Sequence, residues 1–470
     1  MEECQKYKYK YQYPEQTVFS DKMKAKFNSL NLPCFTGINC GDILHQHFAQ
    51  NVSTQFTFLM FITNLVRIVF RTFFTNLKYG YTGIPDTLFL MTNTYHKNRK
   101  DLSVNFNHAA NLVKNKLVIE PSHRNNFLGF QMIKHLKLPL KLDKALREAI
   151  PEYKSRWFYI SILYNIFISY KYYENICQKH SFNINKLVSN CDVDDRSYYY
   201  VSIFNKENKT TVTLQHGIFC DRFLTMNFLE SKSKYFLTHN QYTIDEGVSA
   251  GYSGGKMIVT GVLSHIPLSA ETKSAENPKS DIFSATGFLP EAICQHSIVN
   301  KNPTNNIPKI GYIFDGVLFD KNNLNNLEIL QEYAKTKGIK LYLKLHPSKE
   351  LKDYRNRLDS DLIEKCYTND ISIIDFAKKV DVIIISNSSA LSEILSLKKT
   401  CFIIYGKGLV DVYHNAPAFR FSSVEELDKL IGSIGSPAFF KDFEKMLSYF
   451  CCSGSIAENY QKVFNSLGIY

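Results

Sequence analysis

Three short segments of this 470-residue chain deliver a histidine or a pair of serines where an apolar run ends. The first is Thr211-Val212-Thr213-Leu214-Gln215-His216-Gly217. An extended run leads into His216, and the glycine after it permits a tight turn. An imidazole presented in this way can take a proton near neutral pH, which makes His216 the candidate general base. The second is Lys340-Leu341-Tyr342-Leu343-Lys344-Leu345-His346-Pro347-Ser348. Pro347 fixes the turn behind His346, and Lys344 adds positive charge suited to a phosphate. The third is Asp381-Val382-Ile383-Ile384-Ile385-Ser386-Asn387-Ser388-Ser389-Ala390-Leu391-Ser392-Glu393. Here a buried strand runs into a serine-rich loop that opens a helix. Free N–H groups and the helix dipole favour an anion, and Ser388 and Ser389 add hydroxyl donors. Glu393, one turn further on, is placed to accept hydrogen bonds from two ribose hydroxyls. Each segment also has a plain structural reading: a surface histidine, an ordinary turn, an N-capping serine.

Other residues at run ends join this set. Asp315-Gly316 closes the run Lys309–Phe314 and would line the same surface as His346 and Ser388. Thr92, Asn93, His123 and Arg124 lie near strand ends of the first half and are expected to touch an acceptor.

The elements that must hold these residues follow from apolar patterning. Strands are expected at Asp86–Met91, Lys116–Ile119, Tyr198–Phe204, Thr210–Leu214, Tyr235–Leu237 and Met257–Val259. Residues 142–178 read as helical. A second series has strands at Lys309–Phe314, Lys340–Leu345, Asp381–Ile385 and Thr400–Ile404, with helices at Asn323–Lys337 and Ala390–Leu397. Helices over 424–432 and 437–466 close the chain. Strands alternating with helix-length segments call for parallel α/β sheets. The expected architecture is therefore two Rossmann-like domains facing a cleft, with ligands at the carboxyl ends of the strands. The boundaries are a basic N-terminal extension (1–85), an acceptor domain (86–265), a linker rich in Ser, Asn, Pro and Lys (266–308), a nucleotide-donor domain (309–436) and C-terminal helices (437–470).

Composition narrows the partners. Hydrophobic residues make up 44% and charged residues 21%, which excludes a disordered chain. The formal net charge is +12. Residues 1–150 hold 20 Lys/Arg against 10 Asp/Glu, while residues 151–470 hold 36 against 34, so nearly all the excess lies in the first third. Within it, residues 54–79 carry a wide apolar face and a basic stripe that includes Arg67 and Arg71. That pattern suits a helix lying on an anionic membrane surface, and it is too interrupted to span one. It also suits a core helix whose basic stripe faces water. The basic third has no recognisable nucleic-acid module. Eleven cysteines without a CxxC pair read as reduced thiols of a cytosolic protein. The sequence Met1-Glu2-Glu3-Cys4 opens no secretory signal. Asp192-Val193-Asp194-Asp195 reads as a solvated turn, and Cys34, Cys40, His45 and His47 have too irregular a spacing for zinc.

With these motifs in this order, the chain resembles bacterial GT-B glycosyltransferases of surface-polysaccharide assembly. The set is the one carrying an HP motif and a following Ser-Ser motif: sialyltransferases, Kdo transferases and, more distantly, the CDP-glycerol glycerophosphotransferases. The resemblance covers roughly residues 190–435. It implies that His346 and Pro347, with Ser388 and Ser389, hold the donor phosphate. It implies that His216 is the base. Sialyltransferases carry an acidic D/E-D/E-G motif at that place and the glycerophosphotransferases a His-Gly, so Gln215-His216-Gly217 counts against sialic acid transfer. The literal Asp245-Glu246-Gly247 is read as a chance match.

The implied activity is transfer of a sugar from a nucleotide-activated donor to a growing capsule or O-antigen glycan. A CMP-linked donor is favoured, such as Kdo or another acidic sugar. The nucleotide sugar is a co-substrate, and neither a further cofactor nor a metal is expected. The acceptor would be lipid-linked or an oligosaccharide, and the protein peripheral on the inner face of the cytoplasmic membrane. The competing readings are a CDP-polyol phosphotransferase of the same fold and a basic nucleic-acid-binding or scaffold protein.

Overall fold

The computed structural model describes residues 23–32, 34–41, 43–44, 62–63, 66, 79–91, 100–119, 135, 137–149, 156–190, 195–215, 232–249, 252, 257–262, 308–316, 320–346, 349–368, 371–406 and 409–470. Most of the 54–79 segment and of the 266–308 linker lies outside them. So do Thr92, Asn93, His123, Arg124, His216, Gly217 and Pro347, and with them Asp192, Asp194, His45 and His47.

The first unit is built on strands β1 (Tyr79–Thr82), β2 (Thr87–Leu90), β3 (Lys116–Ile119), β4 (Lys186–Ser189), β5 (Thr210–Leu214), β6 (Tyr235–Thr238) and β7 (Met257–Val259). Their order is β1-β3-β2-β4-β5-β6-β7. All neighbours are parallel except β1, which pairs antiparallel with β3 at the sheet edge. Helices α1 (Lys100–Asn111), α2 (Leu138–Ala149), α3 (Arg156–His180), α4 (Asp195–Lys206) and α5 (Gln241–Ser249) accompany these strands. Alternate residues of β2 go to opposite faces, as strand geometry requires. Leu88 and Leu90 join α3 and α4 in one core, and Phe89 joins α1 in another.

The second unit has strands β8 (Ile310–Ile313), β9 (Leu341–Lys344), β10 (Ile363–Tyr367), β11 (Val382–Ile385), β12 (Thr400–Ile404) and β13 (Arg420–Phe421). Helices α6 (Asp320–Lys337), α7 (Ile373–Ala377), α8 (Ala390–Ser396), α9 (Val424–Ser433) and α10 (Pro437–Phe450) accompany them. The sheet order is β10-β9-β8-β11-β12-β13 and every pairing is parallel. In local sequence order that is 3-2-1-4-5-6, the Rossmann arrangement. Its strands are buried on both faces: Val382 to Ile385 are 0% exposed, the signature of a parallel sheet covered by helices. The expected two-Rossmann architecture is what the chain adopts.

Three local expectations change. Residues 198–204 are helical, as part of α4, and the additional strand is β4. The Tyr-Tyr-Tyr-Val run favours a strand by propensity, but tertiary contacts override it. In the helix, Tyr199 and Tyr200 meet Tyr170 of α3 edge-on at 5.4 and 5.0 Å, and the Tyr200 hydroxyl donates to the Ser169 carbonyl. Second, residues 23–44, expected in an extension, belong to the core of the first unit where they are described. Phe27 packs edge-on against Tyr159, Phe35 packs on Tyr199, and both phenylalanines are 1% exposed. Third, the C-terminal helices go to different units. Helix α10 stays on the second, whereas α11 (Ile456–Ser466) inserts Tyr460 and Phe464 among Phe89, Val212 and Leu237 of the first. The Asn115 N–H donates to the carbonyl of Tyr470 and fixes the chain end there.

Among the described residues, no helix is long and apolar enough to cross a membrane. The described cysteines form no disulfide.

Candidate functional site

The switch in strand order of the second sheet falls between β8 and β11, and the polypeptide leaves both strands on the same edge. Crossovers depart to opposite faces at such a point and leave a crevice outside the carboxyl ends, where doubly wound sheets bind ligands. The sequence motifs meet there. Asp315-Gly316 follows β8, His346 follows β9, and Ser386 to Ser389 follow β11. Register enforces the meeting: Ile313 pairs with Lys344, and the Phe314 N–H donates to the Lys344 carbonyl at 2.9 Å.

Gly316 lies against the His346 imidazole. A Cβ built on this glycine would stand 3.6 Å from both Cε1 and Nε2 of the ring. The ends of β8 and β9 thus bring Gly316 and the His346 ring side by side, with no side chain on the glycine between them.

Asp315 faces inward. It is 1% exposed, and both carboxylate oxygens accept the backbone N–H of Asn387, at 2.9 and 3.0 Å. The Asn387 side-chain amide donates to the same carboxylate at 3.3 Å. Burial pushes the Asp315 carboxyl up to about 7, against the hydrogen bonds from Asn387 and Ser386 that favour its charged form. Asn323 of α6 supports the backbone on the other side: its Oδ1 accepts the Asp315 N–H at 2.9 Å and its Nδ2 donates to the Asp315 carbonyl at 3.1 Å.

Asn387 is also tied to the loop after β12. Its Oδ1 accepts the Val412 N–H at 2.8 Å and its Nδ2 donates to the Val410 carbonyl at 3.3 Å. The Tyr413 hydroxyl donates to the Ser388 carbonyl at 2.6 Å. One asparagine therefore holds three segments together: the β8 end, the serine loop and the loop over residues 410–413.

The serines differ in what they do. Ser388 Oγ accepts the Ala390 N–H at 3.3 Å, an intraloop contact. Ser389 occupies the cap position of α8 in a helical backbone conformation, and its side chain makes no cap hydrogen bond. Simple N-capping does not account for Ser389, which is exposed at the rim. Helix α8 has seven residues, so its dipole is short. Glu393 lies on it, part-buried, one turn past Ser389. Lys344 is 4% exposed and donates to the Thr368 carbonyl at 2.6 Å, which holds its ammonium at the end of the neighbouring strand β10.

In the first unit the described chain stops at Gln215, one residue before His216. Gln215 is clamped twice by His239 at the end of β6: its Oε1 accepts the His239 N–H at 2.7 Å, and its carbonyl lies 3.0 Å from Nε2 of the His239 ring. Glu246, from the literal acidic motif, lies inside helix α5 and is 1% exposed. Its carboxylate accepts from Asn415 of the second unit at 3.0 Å, a contact at the junction of the units. Among the described residues no group of three or more His, Cys, Asp or Glu side chains comes together as a metal site.

No protein-family model matches the chain, and no curated protein sequence matches it. Solved structures do. A UDP-GlcNAc 2-epimerase from Neisseria meningitidis, bound to UDP-GlcNAc, aligns over 81% of this chain and 99% of its own at 11% identity, with a TM-score of 0.44. A glycosyltransferase from Rickettsia africae aligns over 82% and 98% at 12% identity, with a TM-score of 0.44. The Anabaena protein HepE in complex with UDP aligns over 82% and 99% at 11% identity, with a TM-score of 0.43. Likeness at this level says nothing about chemistry, which has to come from this chain's own residues.

Sequence reasoning found Asp315, Gly316, His346 and the serines but missed Asn387, Asn323, His239 and Asn240. The asparagines left a trace: Asn322, Asn323 and Asn326 occupy α6 and are at most 2% exposed. Asparagine is a poor helix interior residue and is rarely buried without partners. Three of them within five positions of one helix are therefore a sequence signal of a buried polar network.

Proposed function

We propose that this protein is a glycosyltransferase that moves a sugar from a nucleotide-activated donor to a bacterial surface glycan. The observation that carries the reading is the placement of His346 beside Gly316 and the Asp315–Asn387 link at the switch point of the second sheet. The glycine sets no side chain against the imidazole, and the Asn387 link ties the serine loop to the end of β8. In this reading His346, with Pro347 behind it, and the Ser388 and Ser389 hydroxyls hold the donor phosphate. Lys344 supplies charge from the same edge, and Glu393 accepts the ribose hydroxyls. Gly316 provides the room. Asp315 orients the loop rather than touching the donor.

His216, at the end of β5 in the other unit, takes the proton from the acceptor hydroxyl as the donor's C–O bond to phosphate breaks. The negative charge left on the departing nucleotide is stabilised by groups already in place, and that preorganisation supplies most of the rate. Thr92, Asn93, His123 and Arg124 are the acceptor-side candidates. Within the basic 1–85 segment, the amphipathic pattern of residues 54–79 is the part this reading assigns to an anionic membrane surface that carries the acceptor. A CMP-linked acidic sugar remains the donor expected from the motif set.

The test is a thermal-shift panel of CMP, CDP, UDP and GDP. One nucleotide should raise the melting temperature of the wild-type chain, and His346→Ala should remove that shift. No response to any of the four would sink the reading. A CDP response together with polyol-phosphate transfer would replace it by the phosphotransferase alternative.

A further inference from the structure

A buried chain of hydrogen bonds runs from the residue before His216 to the residue before Glu393, across the junction of the two units. Gln215 Nε2 donates to Thr243 Oγ1 at 3.2 Å. Thr243 Oγ1 donates to Asn240 Oδ1 at 2.9 Å, and the Thr243 N–H donates to the same oxygen at 3.0 Å. Asn240 Nδ2 then donates to Ser392 Oγ at 2.9 Å and to the Phe450 carbonyl at 3.3 Å. The side chains in the path are all buried: Gln215 4%, Thr243 2%, Asn240 5% and Ser392 7% exposed.

The bonding capacity of Asn240 is used in both directions. Its oxygen accepts two hydrogen bonds from helix α5 of the first unit, and its amide donates two to the second. A buried amide in this position carries a penalty if either side lets go, because an orphaned buried donor or acceptor keeps its desolvation cost with no bond to offset it. The cross-unit pairing is therefore favoured at one relative placement of the units and disfavoured at others. Around it the junction is filled by apolar and polar contacts. Tyr242 rings meet Tyr413 and Phe450 at 5.6 and 5.0 Å, and Asn415 reaches Glu246.

We propose that Asn240 is a positioning residue that registers the His216-bearing strand end against the Glu393-bearing helix α8. It acts through Thr243 and Gln215 on one side and through Ser392 on the other. The inference rests on the glycosyltransferase reading for the roles of His216 and Glu393, while the relay itself is a property of the fold. A base and a leaving group carried by separate units must be set within a few tenths of an ångström, and misplacement by about 1 Å can cost about 100-fold in rate.

The test uses the full chain with Thr243→Val, Ser392→Ala and the double variant, which break the relay on the two sides of Asn240 with minimal change of volume. On whichever of a panel of CMP- and UDP-linked sugars the wild type turns over, each single variant should lower kcat about 10–100-fold. The donor KM and the affinity for CMP or UDP should stay within about twofold. Because the links act in series, the double variant should be no slower than the slower single. Unchanged kcat, losses that multiply, or a parallel fall in nucleotide affinity would overturn the proposal. Hydrogen exchange supplies a readout that needs no substrate. Thr243→Val should loosen residues 390–396 in the opposite unit, and loss of protection confined to the first unit overturns the relay. A wild-type chain that turns over no nucleotide sugar would sink the functional reading and leave the exchange result to decide the relay.

Discussion

Asp315 and Asn387, 72 positions apart in the sequence, are joined by two hydrogen bonds from one backbone N–H to both oxygens of one carboxylate. The pair closes the gap between the ends of β8 and β11, at the point where the second sheet changes direction. The His346 imidazole and the Ser388–Ser389 loop lie to either side of it, on strand ends whose register the β8–β9 and β8–β11 ladders set.

The link is titratable. Burial raises the Asp315 carboxyl from 3.8 to about 7, so between those values the folded state binds a proton that the unfolded chain releases. Its stabilising contribution is complete below the unfolded value and is lost as pH rises through about 7. A shift of this size corresponds to a change on the order of 4 kcal/mol. Asp315→Asn should unfold more easily than wild type at pH 5, with the gap closing toward pH 8. Denaturation midpoints at a series of pH values check this, and a gap that widens with pH would contradict it.

The two candidate histidines should separate kinetically. His216→Ala should abolish transfer, by about 100–10,000-fold in kcat, while nucleotide binding and melting temperature stay at wild-type values. His346→Ala should instead weaken nucleotide binding by about 10–100-fold, as loss of a charge-assisted contact to phosphate would. Calorimetric titration with the active nucleotide checks the second effect, and nucleotide release from the donor checks the first. Near wild-type turnover of His216→Ala would show that the base lies elsewhere.

Strand β8 is packed too closely at one position to accept a methyl group. A Cβ on Gly311 would come within 2.7 Å of Phe376 Cζ and 3.0 Å of Val380 Cγ2. Gly311→Ala should cost about 1–3 kcal/mol by overpacking. Because β8 carries Asp315 and Gly316, it should also weaken nucleotide binding. Urea unfolding measures the first effect, and a loss below about 0.5 kcal/mol, the scale of ordinary surface substitutions, would show that α7 yields freely.

The last helix should matter to the first unit. Phe464 is 1% exposed and meets Phe89 edge-on at 6.4 Å. Phe464→Ala should cost about 3–5 kcal/mol. Hydrogen exchange should show lost protection in β2 and β5, with β11 and β12 intact. Loss spread evenly over both sheets would contradict the assignment of α11 to the first unit.

Much of the fold was legible in the sequence because parallel strands buried on both faces are written as uninterrupted apolar runs. Val382–Ile385 and Thr400–Ile404 are of that kind, and their strands fall where the runs are. The motif residues were legible for a related reason: each follows such a run, and the carboxyl end of a parallel strand is where a side chain can face a crevice. The expected strand over Tyr198–Phe204 failed because aromatic and β-branched residues mark burial more reliably than they mark conformation.

The sequence by itself determined the residue types at the strand ends and the alternation that makes two parallel sheets. Only the tertiary structure decided what Asp315, Asn387 and Asn240 do. Their partners lie 72, 25 and 152 residues away, through backbone N–H groups and amides that carry no local pattern. A buried polar side chain is defined by what satisfies it, and over such distances satisfaction is a property of strand order and register, which no single segment contains.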